Sequence, residues 1–160
     1  MSGDRANMYI FLDIDGVLNT KEDWEKRLYS LNIRCVDVFC DLLKNMDNPK
    51  IVISSTWRNG LARDGSTATH IEELLKALNR VGITSVDKTA VSPNGVRSEE
   101  IDYYLRRHDE DEYLILDDDK ELFKLAEKTP YLYLVDPLKG ITNNDVKCIL
   151  KQVKKKHKRY

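Results

Sequence analysis

The sequence predicts an α/β fold: one parallel sheet of about five strands covered by helices. Two observations predict it. Short apolar runs alternate with helical patterns along the chain, and most runs end abruptly in polar residues. No repeat, low-complexity segment or long linker divides the 160 residues. One domain is therefore expected over 1–160, with a core at about 8–150 and a basic tail at 151–160.

The first run, Met8 to Ile14, ends in the pair Asp13 and Asp15. Val36, Phe39, Cys40 and Leu43 then recur at helical spacing. The second run, Ile51-Val52-Ile53, follows Pro49 and ends in Ser54-Ser55-Thr56. Thr69 with Glu72 makes a capping-box pattern ahead of Ile71, Leu74, Leu75 and Leu78, and Gly82 suits the stop of that helix. A weaker third run lies between Ile83 and Val91. Ile101, Tyr104 and Leu105 predict a helix starting near Arg97 or Ser98.

The fourth run, Tyr113 to Leu116, ends in Asp117-Asp118-Asp119. Leu122, Leu125 and Ala126 predict a helix stopped before Pro130. A fifth run, Tyr131 to Val135, is followed by Asp136-Pro137. Thr142 with Asp145 can cap a last helix carrying Val146, Ile149, Leu150 and Val153. Residues 16–33, 56–68 and 88–96 read as irregular.

Composition narrows the class. The chain is 41% hydrophobic and 33% charged, which suits a soluble globular protein. Its net charge of -1 gives no global preference for an anionic or cationic partner. No apolar run approaches the ~20 residues of a membrane span, and the first residues lack the layout of a secretory signal. Cys35, Cys40 and Cys148 match no zinc spacing and cannot all pair, so reduced thiols and a cytoplasmic location are expected. His70, His108 and His157 fit no metal pattern and read as surface residues.

In an open parallel sheet, ligands bind at the carboxyl ends of the strands, where the polar clusters fall. Asp13 and Asp15 lie two apart, so they start on one side of the strand, and Gly16 lets the chain turn away. A polar strand end with a turn glycine accounts for this pair alone. Capping accounts for one acid of the second cluster, Asp118 or Asp119, but not for Asp117 directly after the apolar run. Two acidic strand ends on one edge make an oxygen-rich site suited to Mg2+. Ser55 can donate to a phosphoryl oxygen, and Arg58 offers a planar fork matched to phosphate; a small-residue turn and a surface arginine are the plain alternatives.

These residues, in this order, resemble the haloacid dehalogenase superfamily of phosphotransferases. The carrying segments are Phe11-Leu12-Asp13-Ile14-Asp15-Gly16-Val17-Leu18-Asn19, Ile51-Val52-Ile53-Ser54-Ser55, an upstream basic residue, and Leu114-Ile115-Leu116-Asp117-Asp118. Ser-Ser-Thr-Trp-Arg with Leu-Asp-Asp-Asp looks like the subgroup associated with RNA repair proteins. The resemblance implies a Rossmann-like domain without a large cap. It implies Asp13 as nucleophile forming an aspartyl-phosphate and Asp15 as general acid and then base. It implies that Ser55, with Ser54 as runner-up and Thr56 nearby, holds the phosphoryl group. Asp13, Asp15 (through its carbonyl), Asp117 and Asp118 would serve Mg2+. Arg97 is the basic residue, with Lys88 as the alternative and Lys120 disfavoured by its place after the acids.

A capless protein of this type tends to have an open site and a macromolecular substrate. The expected substrate is a phosphomonoester on a polynucleotide end, a nucleotide or a phosphoprotein; a small-metabolite phosphatase, a phosphotransferase and a non-catalytic binding module are the rivals. No protein partner is implied. Trp24 or Tyr29 could lie over the site from a flap at 16–33, although packing on the core is the simpler place for both. Trp57 could stack on a base or pack under its loop. The stretch from Val146 to Tyr160 has lysines at 147, 151, 154, 155, 156 and 158 plus Arg159, without an acid; a solvated helix end explains it better than a nucleic-acid surface.

Overall fold

The computed structural model describes residues 8–61, 68–108, 112–119 and 132–157, the last three by backbone alone. The helix expected around Leu122 to Ala126, Lys120, and the end of the tail lie outside the described residues.

Five parallel strands form one sheet: β1 (Met8–Leu12), β2 (Pro49–Ile53), β3 (Asp87–Lys88), β4 (Glu112–Asp117) and β5 (Leu132–Leu134), in the order β3-β2-β1-β4-β5. The three interior strands, β2, β1 and β4, are buried on both faces along their apolar runs. Ile10, Leu12, Ile51, Ile53, Leu114 and Leu116 face the larger core. It is closed by α2 (Ile33–Lys44), α3 (Thr69–Asn79) and α5 (Asn143–His157). Phe11, Val52 and Ile115 point to the opposite face, where Ile101 and Tyr104 of α4 (Arg97–Arg107) cover them. Strand alternation thus builds two cores from one sheet.

The helix ends follow local chemistry, with one correction. Thr142 and Asp145 exchange the bonds of a capping box ahead of α5. Gly82, at φ +87, ends the α3 turn as expected, its N–H donating to the Asn79 carbonyl. Thr69, however, is not a cap: it is the first residue of α3, and Ala68 holds the cap position with no side-chain bond. The third run contributes only a two-residue edge strand.

The stretch 16–33 is less irregular than the sequence suggests. It contains a short helix, α1 (Lys21–Lys26), started by a complete capping box between Thr20 and Asp23. Asp23 also accepts from the Asn32 side chain, which ties the two ends of this flap together. Between Ile53 and α3 the chain makes a 3-10 turn at Thr56–Gly60. Among the described residues no cap-sized insertion interrupts the domain, and no helix is long and apolar enough to cross a membrane. Cys35 and Cys40 are buried, Cys148 is exposed, and all are free thiols.

Candidate active site

The register Leu12↔Leu116 brings the ends of β1 and β4 side by side. Asp13 follows directly, its N–H donating to the Leu116 carbonyl, while Asp117 is the last residue of β4. Both carboxylates are buried. With half-exposed Asp118 they form a trio whose oxygens lie within 4.8 Å of one another.

Arg97, the first residue of α4, enters this acidic group. Its Nη1 lies 2.7 Å from Asp117 Oδ2 and 3.7 Å from Asp13 Oδ1. Asp117 Oδ1 accepts instead from the Asp119 backbone N–H. Burial first, and Asp117 next, push the Asp13 carboxyl well above the usual carboxylate range, against the pull of Arg97. Asp117 is also raised by burial, with Arg97 again opposing. Burial works against the charge on Arg97, but the two aspartates outweigh it and hold the guanidinium firmly protonated.

One arginine therefore does not balance the buried acids. The donor set is all oxygen, two of its members are buried, and Arg97 is the one guanidinium against them among the described residues. Those features fit a hard divalent cation such as Mg2+, held by Asp13, Asp117 and Asp118.

Asp15 is placed differently from the expectation of a shared face. Strand geometry ends at Leu12, and the chain turns at Ile14 to Leu18 through backbone bonds to the Ile14 carbonyl. Asp15 Oδ1 accepts from Asn19 Nδ2 at 2.9 Å and from Trp57 Nε1 at 3.2 Å. Its carboxylate stands outside the acidic trio, yet both Asp13 and Asp15 line one open cleft of about 600 Å3. Gly16 makes the turn at φ +89, and a Cβ there would lie 2.3 Å from Asp118 Oδ2. Only glycine lets Asp118 approach so closely.

The same cleft is lined by Trp24, Ser55, Thr56, Arg97, Asp118 and Asp119. Ser55 caps the 3-10 turn, its Oγ accepting from the Trp57 N–H, which leaves the hydroxyl proton to donate. Ser54 is buried away from the cleft, its Oγ without a partner among the described residues. Ser55 thus lies at the cleft and Ser54 does not. Arg97 lies there too, whereas the Lys88 ammonium donates to the Leu61 carbonyl.

Arg58 is not brought to the cleft. Its guanidinium is buried and bonded in parallel to Glu100 at 2.9 and 3.1 Å, with a further bond to Thr89 Oγ1. The fork that suits a phosphate suits a carboxylate equally, and Glu100 occupies it. Trp57 packs under its loop, fully buried, rather than presenting a face to a base. Tyr29 stacks on His70 with ring centroids 4.1 Å apart, and both meet the edge or face of Trp57. His70 and His108 are half-buried in aromatic stacks rather than free on the surface. Trp24, from the α1 flap, is the flap aromatic at the cleft.

A larger cleft of about 870 Å3 opens at the opposite end of the sheet, along the starts of β1 and β2, and contains none of these carboxylates. The chemistry lies at the carboxyl ends of the strands.

Residues 9–146 match the model of the HAD domain in Swiss Army Knife RNA repair proteins. The chain belongs to this family. No curated protein matches it. Membership places this HAD domain with the hydrolases and phosphatases of its superfamily, whose domains generally use Mg2+. Asn19, Trp57 and Glu100 were not legible as site-building residues. Asn19 closes the first motif and Trp57 precedes the arginine that Glu100 binds, but neither sequence position shows what its side chain touches.

Proposed function

We propose that this HAD domain is an Mg2+-dependent phosphomonoester hydrolase that acts on polynucleotide ends through an aspartyl-phosphate at Asp13. The observation that carries the reading is the convergence of Asp13, Asp117 and Asp118 with Arg97, across one open cleft from Asp15.

The residues divide the work as follows. An Asp13 carboxylate oxygen bonds to phosphorus as the bond from phosphorus to the leaving oxygen breaks, and that oxygen takes the proton of Asp15. Asp15, now a carboxylate, takes a proton from water as the water oxygen attacks phosphorus. This releases orthophosphate and restores Asp13. Ser55 and Thr56 hold phosphoryl oxygens at the rim of the cleft. Arg97 keeps Asp13 and Asp117 oriented and offsets their charge. Bound Mg2+ supplies the positive charge that lets an anionic nucleophile meet an anionic ester.

The open cleft, lined from the α1 flap by Trp24, and the RNA-repair setting of the family support a polynucleotide end over a small enclosed metabolite. The test is hydrolysis of p-nitrophenyl phosphate with and without Mg2+, by the parent and by Asp13→Asn. Activity that needs Mg2+ and is lost in Asp13→Asn is expected; equal activity in both proteins sinks the nucleophile assignment. A panel of mononucleotides, oligonucleotide 3′- and 5′-phosphates, sugar phosphates and phosphopeptides then ranks the substrates. Preference for phosphopeptides or sugars overturns the polynucleotide reading.

A further inference from the structure

Asp15 Oδ1 accepts both of its hydrogen bonds from groups outside the acidic trio. One donor is the amide of Asn19, which is itself fixed: its Nδ2 also donates to the Ser30 carbonyl, and its Oδ1 accepts from the Gly16 N–H. The other is the indole N–H of Trp57, which has a single direction because the ring is fully buried. Tyr29 meets the indole edge-on at 5.5 Å and His70 at 5.0 Å, so the flap and α3 both hold the ring in place. A carboxylic acid that gives its proton to a leaving group needs one oxygen to carry the proton and a defined orientation for it. Two N–H donors occupy both lone-pair sites of Oδ1, which leaves the proton to Oδ2.

We infer that Trp57 and Asn19 are positioning residues that fix Asp15 with Oδ2 as its proton-bearing oxygen, facing the leaving group. The inference rests on Asp15 being the general acid. Neither side chain touches substrate. Trp57 acts through one hydrogen bond, and Tyr29 and His70 act on Asp15 only through the indole.

Leaving-group chemistry separates this role from a merely structural one. p-Nitrophenyl phosphate expels a stable phenolate and needs little proton donation, whereas p-nitrobenzyl phosphate is nearly the same shape and expels an alkoxide that must be protonated. Trp57→Phe keeps one aromatic ring and deletes the N–H. Benzothienylalanine at position 57 does the same with the full bicyclic shape, and serves if the phenyl ring leaves the core poorly packed. Both are measured beside Asp15→Asn, with Mg2+ present.

General acids contribute about 10²–10⁴-fold. Asp15→Asn is therefore expected to lose about a hundredfold or more in kcat/KM, which reports the step that forms the aspartyl-phosphate, on the benzyl ester and far less on the phenyl ester. The N–H-deleted proteins are expected to lose about tenfold on the benzyl ester and under about threefold on the phenyl ester, since only the positioning share of the acid's effect is removed. Equal losses on both esters in the position-57 variants, beside a leaving-group-dependent Asp15→Asn, overturn the positioning role and leave the Asp15 assignment standing. Leaving-group-independent loss in Asp15→Asn, or no parent activity on either ester, overturns the acid assignment and this inference with it.

Discussion

Arg58 and Glu100, 42 residues apart in the chain, are joined by two parallel hydrogen bonds in the interior of the domain. The pair ties the 3-10 turn after β2 to α4, the helix whose first residue is Arg97. Removing one member leaves the other charged and buried, which costs roughly 3–5 kcal/mol. Arg58→Ala is expected to lower the melting temperature and kcat while leaving KM for p-nitrophenyl phosphate unchanged. Thermal melts with steady-state kinetics check this; an unchanged melt with a raised KM would return Arg58 to substrate binding.

Gly16→Ala is expected to damage the site by geometry. The residue lies at φ +89, and its new Cβ would meet Asp118 Oδ2 at 2.3 Å. Alanine at such a φ destabilises by more than about 1 kcal/mol, and Asp118 must swing away from Asp13 and Asp117. A urea midpoint and an Mg2+ titration of activity report the two effects separately. A normal Mg2+ requirement in Gly16→Ala would show that Asp118 is no cation ligand.

The buried acids give a pH dependence of unusual sign. Folding raises the carboxyls of Asp13 and Asp117 above their ordinary values, chiefly through burial. Their contribution is therefore favourable at pH values below the unfolded range near ~3.9 and is lost as pH rises through the raised folded values. Without divalent cation, Asp13→Asn is expected to melt above the parent at neutral pH, with the gap closing on acidification. Mg2+ should raise the parent's melting point more than the variant's, by mass action on the folded state. Melts from pH 4 to 8, with and without Mg2+, test both statements.

The flap titrates the other way. Asp23 is held below the usual carboxylate range, first by the Thr20 N–H, with the Asn32 and Thr20 side chains adding to it. Its stabilising share is present above the unfolded pKa and disappears as pH falls through the lowered folded one. Because Asp23 is largely solvated, the share is small, roughly 0.5–1 kcal/mol for a lost helix cap. Asp23→Ala is expected to speed amide exchange across residues 20–33 at neutral pH and leave the sheet core protected. Uniform acceleration over the whole domain would refute a local role.

The strands of the sheet and its acidic edge were legible because apolar runs ending in Asp13 and Asp117 carry their own signal. What the sequence hid was partnership between distant residues. Arg58 looks like a phosphate fork until Glu100 is seen in it, and no local pattern links positions 42 apart. Trp57 reads equally as a stacking platform or as packing under its loop, and the choice rests on a ring buried against His70 with its N–H on Asp15. The capping box of α1, Thr20 with Asp23, was missed because six helical residues give too little periodicity to stand out from a loop. Thr69 failed for the opposite reason: the right residue types stood one position too far along to cap.

The pairing of β1 with β4 joins segments about a hundred residues apart, and it alone brings Asp13 beside Asp117. Contacts of such separation are slow to close, because the intervening chain loses entropy before it gains packing. Helices α2 and α3 can form around β1 and β2 while Asp13 still lacks its acidic neighbours. In refolding from denaturant, phosphatase activity should thus return later than helical circular dichroism, and the lag should lengthen when the β1–β4 contact is weakened at Ile115.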